Sequence, residues 1–501
     1  MLKAVPHWIA AHDALPVAPS MNALPAPSCL ARRRLARLPA TAAVGVAVLM
    51  IVAVPAGAAP TPPTGERQEV VVRFKHNASG AARARALSAS GVRSTFPGPG
   101  GAVVGRLRDG ISADDAAAEL RTRRPVAWVA PALRAHIAGF APNDTGSAKT
   151  ARAGGWSLRQ WDFTGPFGIR APEAWDLARA AGGEGGRGVV VAVLDTGVAY
   201  ADRGDYRRSP DLPAARMIRG RDFVSADDFP NDANGHGTFV AGVVAAAANN
   251  GYGMVGVAYA SKILAVRVLD QFGEGSSYRV AQGIRYAAAH GAQVINVSIE
   301  LSDGVRPVSL TSAPDIRSAL QYARRKGVSV VAAAGNSAAT NVPARKYGAL
   351  SIQVGGTTEH GCAADYSNAG PGLDLMAPGG GGDAIRLDDP NCRPDAAIGR
   401  PIRQITFNKI DPRRFLVPND YEGTSMAAPH VTGTIALMLA ARTLGAAPSP
   451  DAVARRLKAS ALDLGPAGAD RAYGAGLLDS AAALGAGPRV PAAAAAPPPP
   501  V

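Results

Sequence analysis

Five near-continuous apolar runs organise the chain from Val189 onward: Val189–Leu194, Ile263–Leu269, Gln293–Ile299, Val328–Ala333 and Leu350–Val354. They are rich in Val and Ile and lack polar alternation, the pattern of strands buried on both faces. Stretches with helical periodicity lie between and after them, at roughly 237–248, 277–290, 312–326, 425–441 and 451–459. Buried strands alternating with helices predict an α/β domain, a parallel sheet with helices on both faces, over 156–487. Residues 66–140 follow a different order. Glu69–Lys75, Ala102–Leu107 and Val126–Val129 read as strands, and 81–90 and 112–121 as helices, the second capped by Ser112 with Asp114 and Asp115 in its first turn. That β-α-β-α-β order in so short a stretch predicts a small ferredoxin-like α+β domain.

The ends of the chain read otherwise. An apolar run at 41–54 follows Arg32, Arg33, Arg34 and Arg37 and precedes Ala56-Gly57-Ala58. A basic flank, a short apolar core and small residues at a cleavage site predict a signal peptide over 1–58, with Met21 as an alternative start. The run is shorter than the 20 or so residues of a membrane span, and a retained anchor is the rival reading. Residues 141–155 read as a turn-rich linker, and 488–501, rich in Ala and Pro, as a disordered tail.

Charge narrows the function classes. The net charge is +14, but residues 1–140 carry 17 Lys+Arg against 7 Asp+Glu, a net +10, and residues 141–501 carry 36 against 32, a net +4. The basic excess therefore sits mostly ahead of the large domain. No basic stripe interleaved with aromatics follows it, so a nucleic-acid partner is not expected. Removal of the leader would take Cys29 and leave Cys362 and Cys392, which allows one disulfide in an oxidising compartment or two separate thiols.

The candidate chemistry lies at strand ends and helix starts, where groups gather in open parallel sheets. Asp195 directly follows the first apolar run; alone it would be a strand-end cap. His236, in Asn234-Gly235-His236-Gly237-Thr238, opens the next helix. Asn336 ends the fourth run in Ala334-Gly335-Asn336, with an ordinary Gly-Asn turn as the plain alternative. Ser425 sits among small residues in Gly423-Thr424-Ser425-Met426-Ala427-Ala428-Pro429-His430, just before an apolar run. By itself it reads equally well as a helix cap. Together, the four give a hydroxyl a base, an orienting acid and an oxyanion donor.

These four segments, with Val240-Ala241-Gly242 and Pro429-His430-Val431, resemble the subtilisin family of serine peptidases, in its chain order Asp, His, Ser. The resemblance covers about 156–487 and implies the fold named above. It makes Asp195 the triad acid, His236 the general base and Ser425 the nucleophile, with Asn336 and the Ser425 N–H facing the oxyanion. Ser298, Ile299 and Glu300 match the segment that pairs with substrate backbone, and Ala333, Ala334 and Gly335 one wall of the first specificity pocket. Residues 66–140 resemble, more weakly, the family's inhibitory pro-segment, which assists folding, blocks the cleft and is cut off by the enzyme.

The implied protein is a secreted serine endopeptidase that acts on protein or peptide substrates through an acyl-enzyme on Ser425. It would be made as a self-processing precursor inhibited by its own pro-segment, with no cofactor for catalysis. The alternatives are a membrane-anchored processing peptidase with a dedicated substrate, which requires the apolar run at 41–54 to be retained, and an inactive binding protein on the same scaffold.

Four departures from the family stand out. Glu300 replaces a usual Gly and is expected to point to solvent. The pocket loop is short at Asn341-Val342-Pro343. The long segment 383–420 lacks a clear counterpart, and Cys362 and Cys392 would staple its start. Pro210-Asp211-Leu212 and Asn249-Asn250-Gly251 resemble parts of a structural calcium site, with the loop before Asn249 about one residue longer, so calcium is left open as an expectation. Broad cleavage with a bias to apolar or small side chains before the cut is expected; strict selection of basic ones would implicate Glu300 or the acidic residues of 383–420.

Overall fold

The computed structural model describes residues 69–108, 110–132, 139–147, 155–302, 307–308, 310–340, 342, 350–386, 388–395, 398–408 and 411–489. The expected signal peptide, most of the short pocket loop and most of the Ala/Pro tail lie outside these residues. The chain divides into two compact units, 1–134 and 135–501.

In the smaller unit, strands β1 (Glu69–Phe74), β2 (Val92–Pro97), β3 (Val103–Leu107) and β4 (Val126–Pro131) form an antiparallel sheet in the order β2-β3-β1-β4. Helices α1 (Gly80–Ala89) and α2 (Ala113–Arg121) complete the ferredoxin-like order, capped by Ser79 and Ser112. Val70, Val72, Ala117 and Leu120 are fully buried between sheet and helices. The sequence reading lacks β2. It is an edge strand of mostly exposed residues ending in Pro97, so it has no apolar run to betray it.

The larger unit is built on seven parallel strands: β5 (Val190–Asp195), β6 (Met217–Asp222), β7 (Lys262–Arg267), β8 (Val294–Val297), β9 (Ser329–Ala333), β10 (Ile352–Thr357) and β11 (Leu375–Pro378). Their order is β11-β10-β9-β8-β5-β7-β6. The two strands absent from the sequence reading, β6 and β11, are the edges; β6 is half-exposed and β11 is four residues long. Alternate side chains of the central strands enter two cores. Val191, Val193, Val294 and Val331 face helices α3 (Ala171–Ala180), α4 (His236–Ala245), α7 (Thr424–Ala440), α8 (Pro450–Ser460) and α9 (Ser480–Leu484). Ala192, Leu194, Ile295, Val297 and Val330 face α5 (Ser277–Ala289) and α6 (Pro314–Arg325). Both faces of the sheet are thus covered, as its Val/Ile runs require.

Two boundary expectations are corrected. Residues 141–147, expected to begin a linker, are packed into the larger unit: Asp144 is fully buried, its carboxylate accepts from the Asn249 and Asn250 N–H groups, and the Trp156 indole donates to the Pro142 carbonyl at 2.9 Å. The turn-forming Pro-Asn-Asp sequence suited a linker, but here it makes a docked loop. Arg489, assigned to the tail, donates to the Pro166 and Gly168 carbonyls.

Helix α7 passes under the centre of the sheet and is almost entirely buried. A buried pair ties it to the entry segment: His430 Nε2 lies 2.9 Å from Asp162 Oδ2, and Nδ1 lies 2.8 Å from the Met426 carbonyl. The carbonyl can only accept, so Nδ1 carries a proton. Removing one member strands the other in a dry interior. We predict that Asp162→Ala lowers stability by about 3–5 kcal/mol, read as a fall in the urea midpoint, and that replacing Asp162 and His430 together by Leu recovers much of the loss.

Candidate active site

Asp195 ends β5, and Ser298 and Asn336 follow the carboxyl ends of the adjacent strands β8 and β9. Strands β6 and β7 lie to one side of β5, and β8 to β11 to the other, so the chain reverses its direction of travel across the sheet here. Such a reversal opens a crevice at the strand ends.

Asp195 is fully buried, and its Oδ1 lies 2.7 Å from His236 Nδ1 and accepts the Thr196 N–H at 2.8 Å. A buried carboxylate oxygen facing Nδ1 favours a proton on that nitrogen, which leaves Nε2 as the imidazole's basic atom. The close approach needs a glycine: a Cβ on Gly237 would sit 2.1 Å from the Gly197 carbonyl oxygen and 2.9 Å from Asp195 Cβ.

Buried Asp232, which the sequence reading missed, secures the start of α4. Its Oδ1 accepts from the Asn234 and Gly235 N–H groups and Thr196 Oγ1, and its Oδ2 from the Thr238 N–H and Oγ1, all within 2.6–2.9 Å. Burial holds this carboxyl above its ordinary value, against a smaller lowering by its Gly235, Asn234 and Thr238 donors. The available signal was positional, since an Asp just ahead of a helix start is a capping residue.

Ser425 is half-buried in the first turn of α7, between buried Thr424 and Met426. Pro429 in the same helix has no N–H, so the Ser425 carbonyl lacks its usual donor four residues on. The Ser298 hydroxyl takes that place at 2.9 Å, and Ser425 Oγ in turn donates to the Ser298 carbonyl at 3.2 Å. Fully buried Asn296 supports the pair, donating to Ser298 Oγ and accepting from Thr432 Oγ1, each at 2.8 Å.

Asn336 is held by its amide oxygen, which accepts from both the Thr424 N–H and Thr424 Oγ1 at 2.8 Å. Its NH2 group is therefore the end left to meet a ligand. Gly423, at φ 138°, keeps room beside it: a Cβ there would sit 3.3 Å from Asn336 Nδ2.

Glu300 departs from its expected solvent orientation. The residue is exposed, but its Oε2 accepts the Asn336 N–H at 3.0 Å, and its Oε1 accepts from Ser337 Oγ at 2.7 Å and Asn368 Nδ2 at 3.3 Å. Three convergent donors hold the carboxylate against the turn after β9. Ile299 is buried; Ala333 and Gly335 are buried beside half-buried Ala334 in the β9 end and turn.

Part of the long segment 383–420 belongs to the core. Ile402, Gln404, Ile405 and Thr406 are buried; Thr406 Oγ1 donates to the Gly235 carbonyl at 2.6 Å, and Gln404 lies against Gly242 of α4. The segment thus braces the histidine helix, and Cys362 and Cys392 are joined by a disulfide at its start.

The residues suggested for calcium form a different arrangement. Both Asp211 oxygens accept hydrogen bonds, from Asn250 Nδ2 at 2.7 Å and the Met254 N–H at 2.9 Å, and both Asp144 oxygens accept backbone N–H groups. Burial raises the Asp211 carboxyl to about 7. An amide NH2 aimed at the carboxylate does not fit a cation's ring of oxygen ligands. Among the described residues, no group of three or more His, Cys, Asp or Glu is placed to hold a metal ion.

This combination of a parallel α/β sheet, an Asp–His pair at its strand ends and a serine at a buried helix start defines a class of hydrolase. Comparison with known proteins identifies the member: the model of the subtilase family matches residues 186–476, and the chain belongs to that family. Thermitase of Thermoactinomyces vulgaris is 36% identical over 285 residues, covering 56% of this chain and 83% of thermitase. A thermophilic serine proteinase of Bacillus sp. (strain AK1) is 31% identical over 376 residues, covering 74% of this chain and 77% of that protein. Among solved structures, a protease from Pseudoalteromonas arctica PAMC 21717 is similar with a TM-score of 0.52 and 30% identity, covering 69% of this chain and 99% of the other. The protein is a serine-type endopeptidase, and enzymes of this family need no catalytic cofactor.

The cap on the histidine helix provides a test. Asp232→Ala removes the acceptor of five donors, each costly to leave unpaired inside the protein. The expected result is a loss of roughly 3 kcal/mol or more in urea unfolding, with peptidase activity falling alongside.

Proposed function

We propose that Ser425 is the nucleophile of this endopeptidase, His236 its general base and Asp195 the acid that orients the base. Asn336 Nδ2 and the Ser425 N–H are the oxyanion donors. The observation that carries this reading is the 2.7 Å contact between Asp195 Oδ1 and His236 Nδ1 at the strand-end crevice from which Ser298 and Asn336 reach the start of the serine helix.

The steps follow from those positions. An extended peptide lies along Ser298, Ile299 and Glu300, pairing through its main chain, with Ala333, Ala334 and Gly335 along one wall. Ser425 Oγ–H turns from the Ser298 carbonyl to His236 Nε2, which takes the proton as Oγ attacks the peptide carbonyl carbon. The Asp195 carboxylate stabilises the imidazolium. Negative charge develops on the carbonyl oxygen and is met by the Asn336 NH2 and by the first-turn N–H of α7, which has no acceptor within the helix. Collapse breaks the C–N bond, and His236 returns the proton to the departing amine. Water, deprotonated by His236, then attacks the ester carbon, the C–Oγ bond breaks, and His236 returns the proton to Ser425 Oγ.

The same reading extends to biosynthesis. Residues 1–58 are a secretion leader, and 66–140 are an inhibitory segment removed by the enzyme itself. The ferredoxin-like order of β1 to β4 supports the second assignment. Among the described residues, no helix is long and apolar enough to cross a membrane; a membrane-anchored form would depend on retention of residues 41–54. The reading assigns no step to calcium.

A fluorophosphonate probe tests it. The processed protein should be labelled on Ser425 and Ser425→Ala should not; an unlabelled processed protein would overturn the assignment. Asn336→Ala should lower kcat by about 10²–10³, the loss found when one such donor is removed from subtilisin, with KM little changed. The N-terminal sequence of secreted material should begin after residue 140.

A further inference from the structure

We infer that Glu300 determines which side chain the enzyme accepts next to the scissile bond, selecting a cationic one, Lys or Arg, over a large apolar one. This rests on the proposed reading of Ser298–Glu300 and Ala333–Gly335 as the two segments that flank the substrate.

The sheet register explains why this carboxylate reaches across. Val297 on β8 pairs with Ala332 on β9, so the two segments leave the sheet side by side and Glu300 comes opposite Gly335. Gly335 vacates the space that the glutamate uses. A Cβ on Gly335 would sit 2.6 Å from Glu300 Oε1 and 2.3 Å from Asn368 Nδ2. The side chain therefore spans from one wall to the other, and its carboxylate is fixed there by the Asn336 N–H, Ser337 Oγ and Asn368 Nδ2. Asn368 is itself locked. Its Oδ1 accepts the Ser337 and Ala339 N–H groups, and its Nδ2 also donates to the Ala334 carbonyl. The position of the carboxylate is set before any substrate arrives.

Among the described residues, no cation neutralises its charge. All three donors are neutral, and no Lys, Arg or His of the described residues forms an ion pair with Glu300. The residue remains exposed, so its carboxylate is open to whatever enters between the walls. An apolar side chain would press against that charge and strip its water without compensation. An ammonium or guanidinium would meet it with a charge-assisted hydrogen bond. A bulky apolar group would also find the gap partly filled by the carboxylate. The inference reverses the sequence-based expectation of a bias towards apolar or small side chains.

The test uses the processed full chain and fluorogenic peptides that differ only in the residue before the cut: Arg, Lys, Ala, Leu or Phe. For the wild type, kcat/KM for Arg and Lys should exceed that for Leu and Phe on the order of tenfold or more. Glu300→Gln keeps the shape without the charge and should lose most of that ratio. Glu300→Gly opens the gap and should shift preference towards Leu and Phe. A purely structural role would lower all five substrates together. A wild-type preference for Leu or Phe, or an unchanged ratio in Glu300→Gln, would overturn the inference; if that variant does not fold, the wild-type ratio and Glu300→Gly still decide. Fluorophosphonate labelling on the same preparation separates the two readings. Absence of label on Ser425 sinks the nucleophile assignment and this inference with it, whereas full labelling without a basic preference sinks this inference alone.

Discussion

The missing N–H of Pro429 is the constraint from which the site's geometry follows. A proline in the sixth position of a helix leaves one carbonyl unbonded, and here that carbonyl belongs to Ser425. A buried, unpaired carbonyl is costly, and the group that satisfies it is a hydroxyl on the end of β8. One sheet strand is thereby fastened to the serine's own peptide unit. Asn296 then fastens the same hydroxyl to Thr432, two turns further along the helix. The helix cannot slide or rotate against the sheet without breaking these bonds, and Thr424 passes the restraint on to the amide of Asn336.

The histidine is positioned by a separate set of restraints. Asp232 gathers the donors at the start of α4, and Gly237 lets the helix abut the turn after β5. The 402–407 stretch bonds to the start of the helix through Thr406, and Tyr421 stacks on Phe239 of the helix with ring centroids 4.1 Å apart. Two helices are thus braced independently, that of His236 against the end of β5 and that of Ser425 against the end of β8.

Much of this was legible in the chain because the signals were local. The buried strands β5, β7, β8, β9 and β10 are visible as apolar runs, and Asp195, His236, Asn336 and Ser425 stand in short motifs at their ends. The edge strands β2 and β6 were not visible, since their partly exposed positions make no continuous apolar run, and β11 was not visible because it is only four residues long. Asp232 was missed because it works through backbone donors that any residue supplies, and the second role of Ser298 because it depends on a proline 131 positions away. Glu300 was misjudged for a related reason. An isolated Glu is usually solvated, and only the register between β8 and β9 shows that it has a glycine opposite and three donors around it. Residues 141–147 looked like a linker because docked loops and linkers share turn-forming residues.

The order of the site groups along the chain has a consequence for synthesis. Asp195 and Ser425 are 230 residues apart. At about 5–20 residues per second, the acid leaves the ribosome roughly 10–50 s before the serine. The helix that carries the serine is also the one buried under the middle of the sheet, so the larger unit cannot close over its core until that helix arrives. A nascent chain shorter than 425 residues therefore has neither the proposed nucleophile nor the central helix of its larger unit, so scaffold and proposed chemistry are completed by the same late segment.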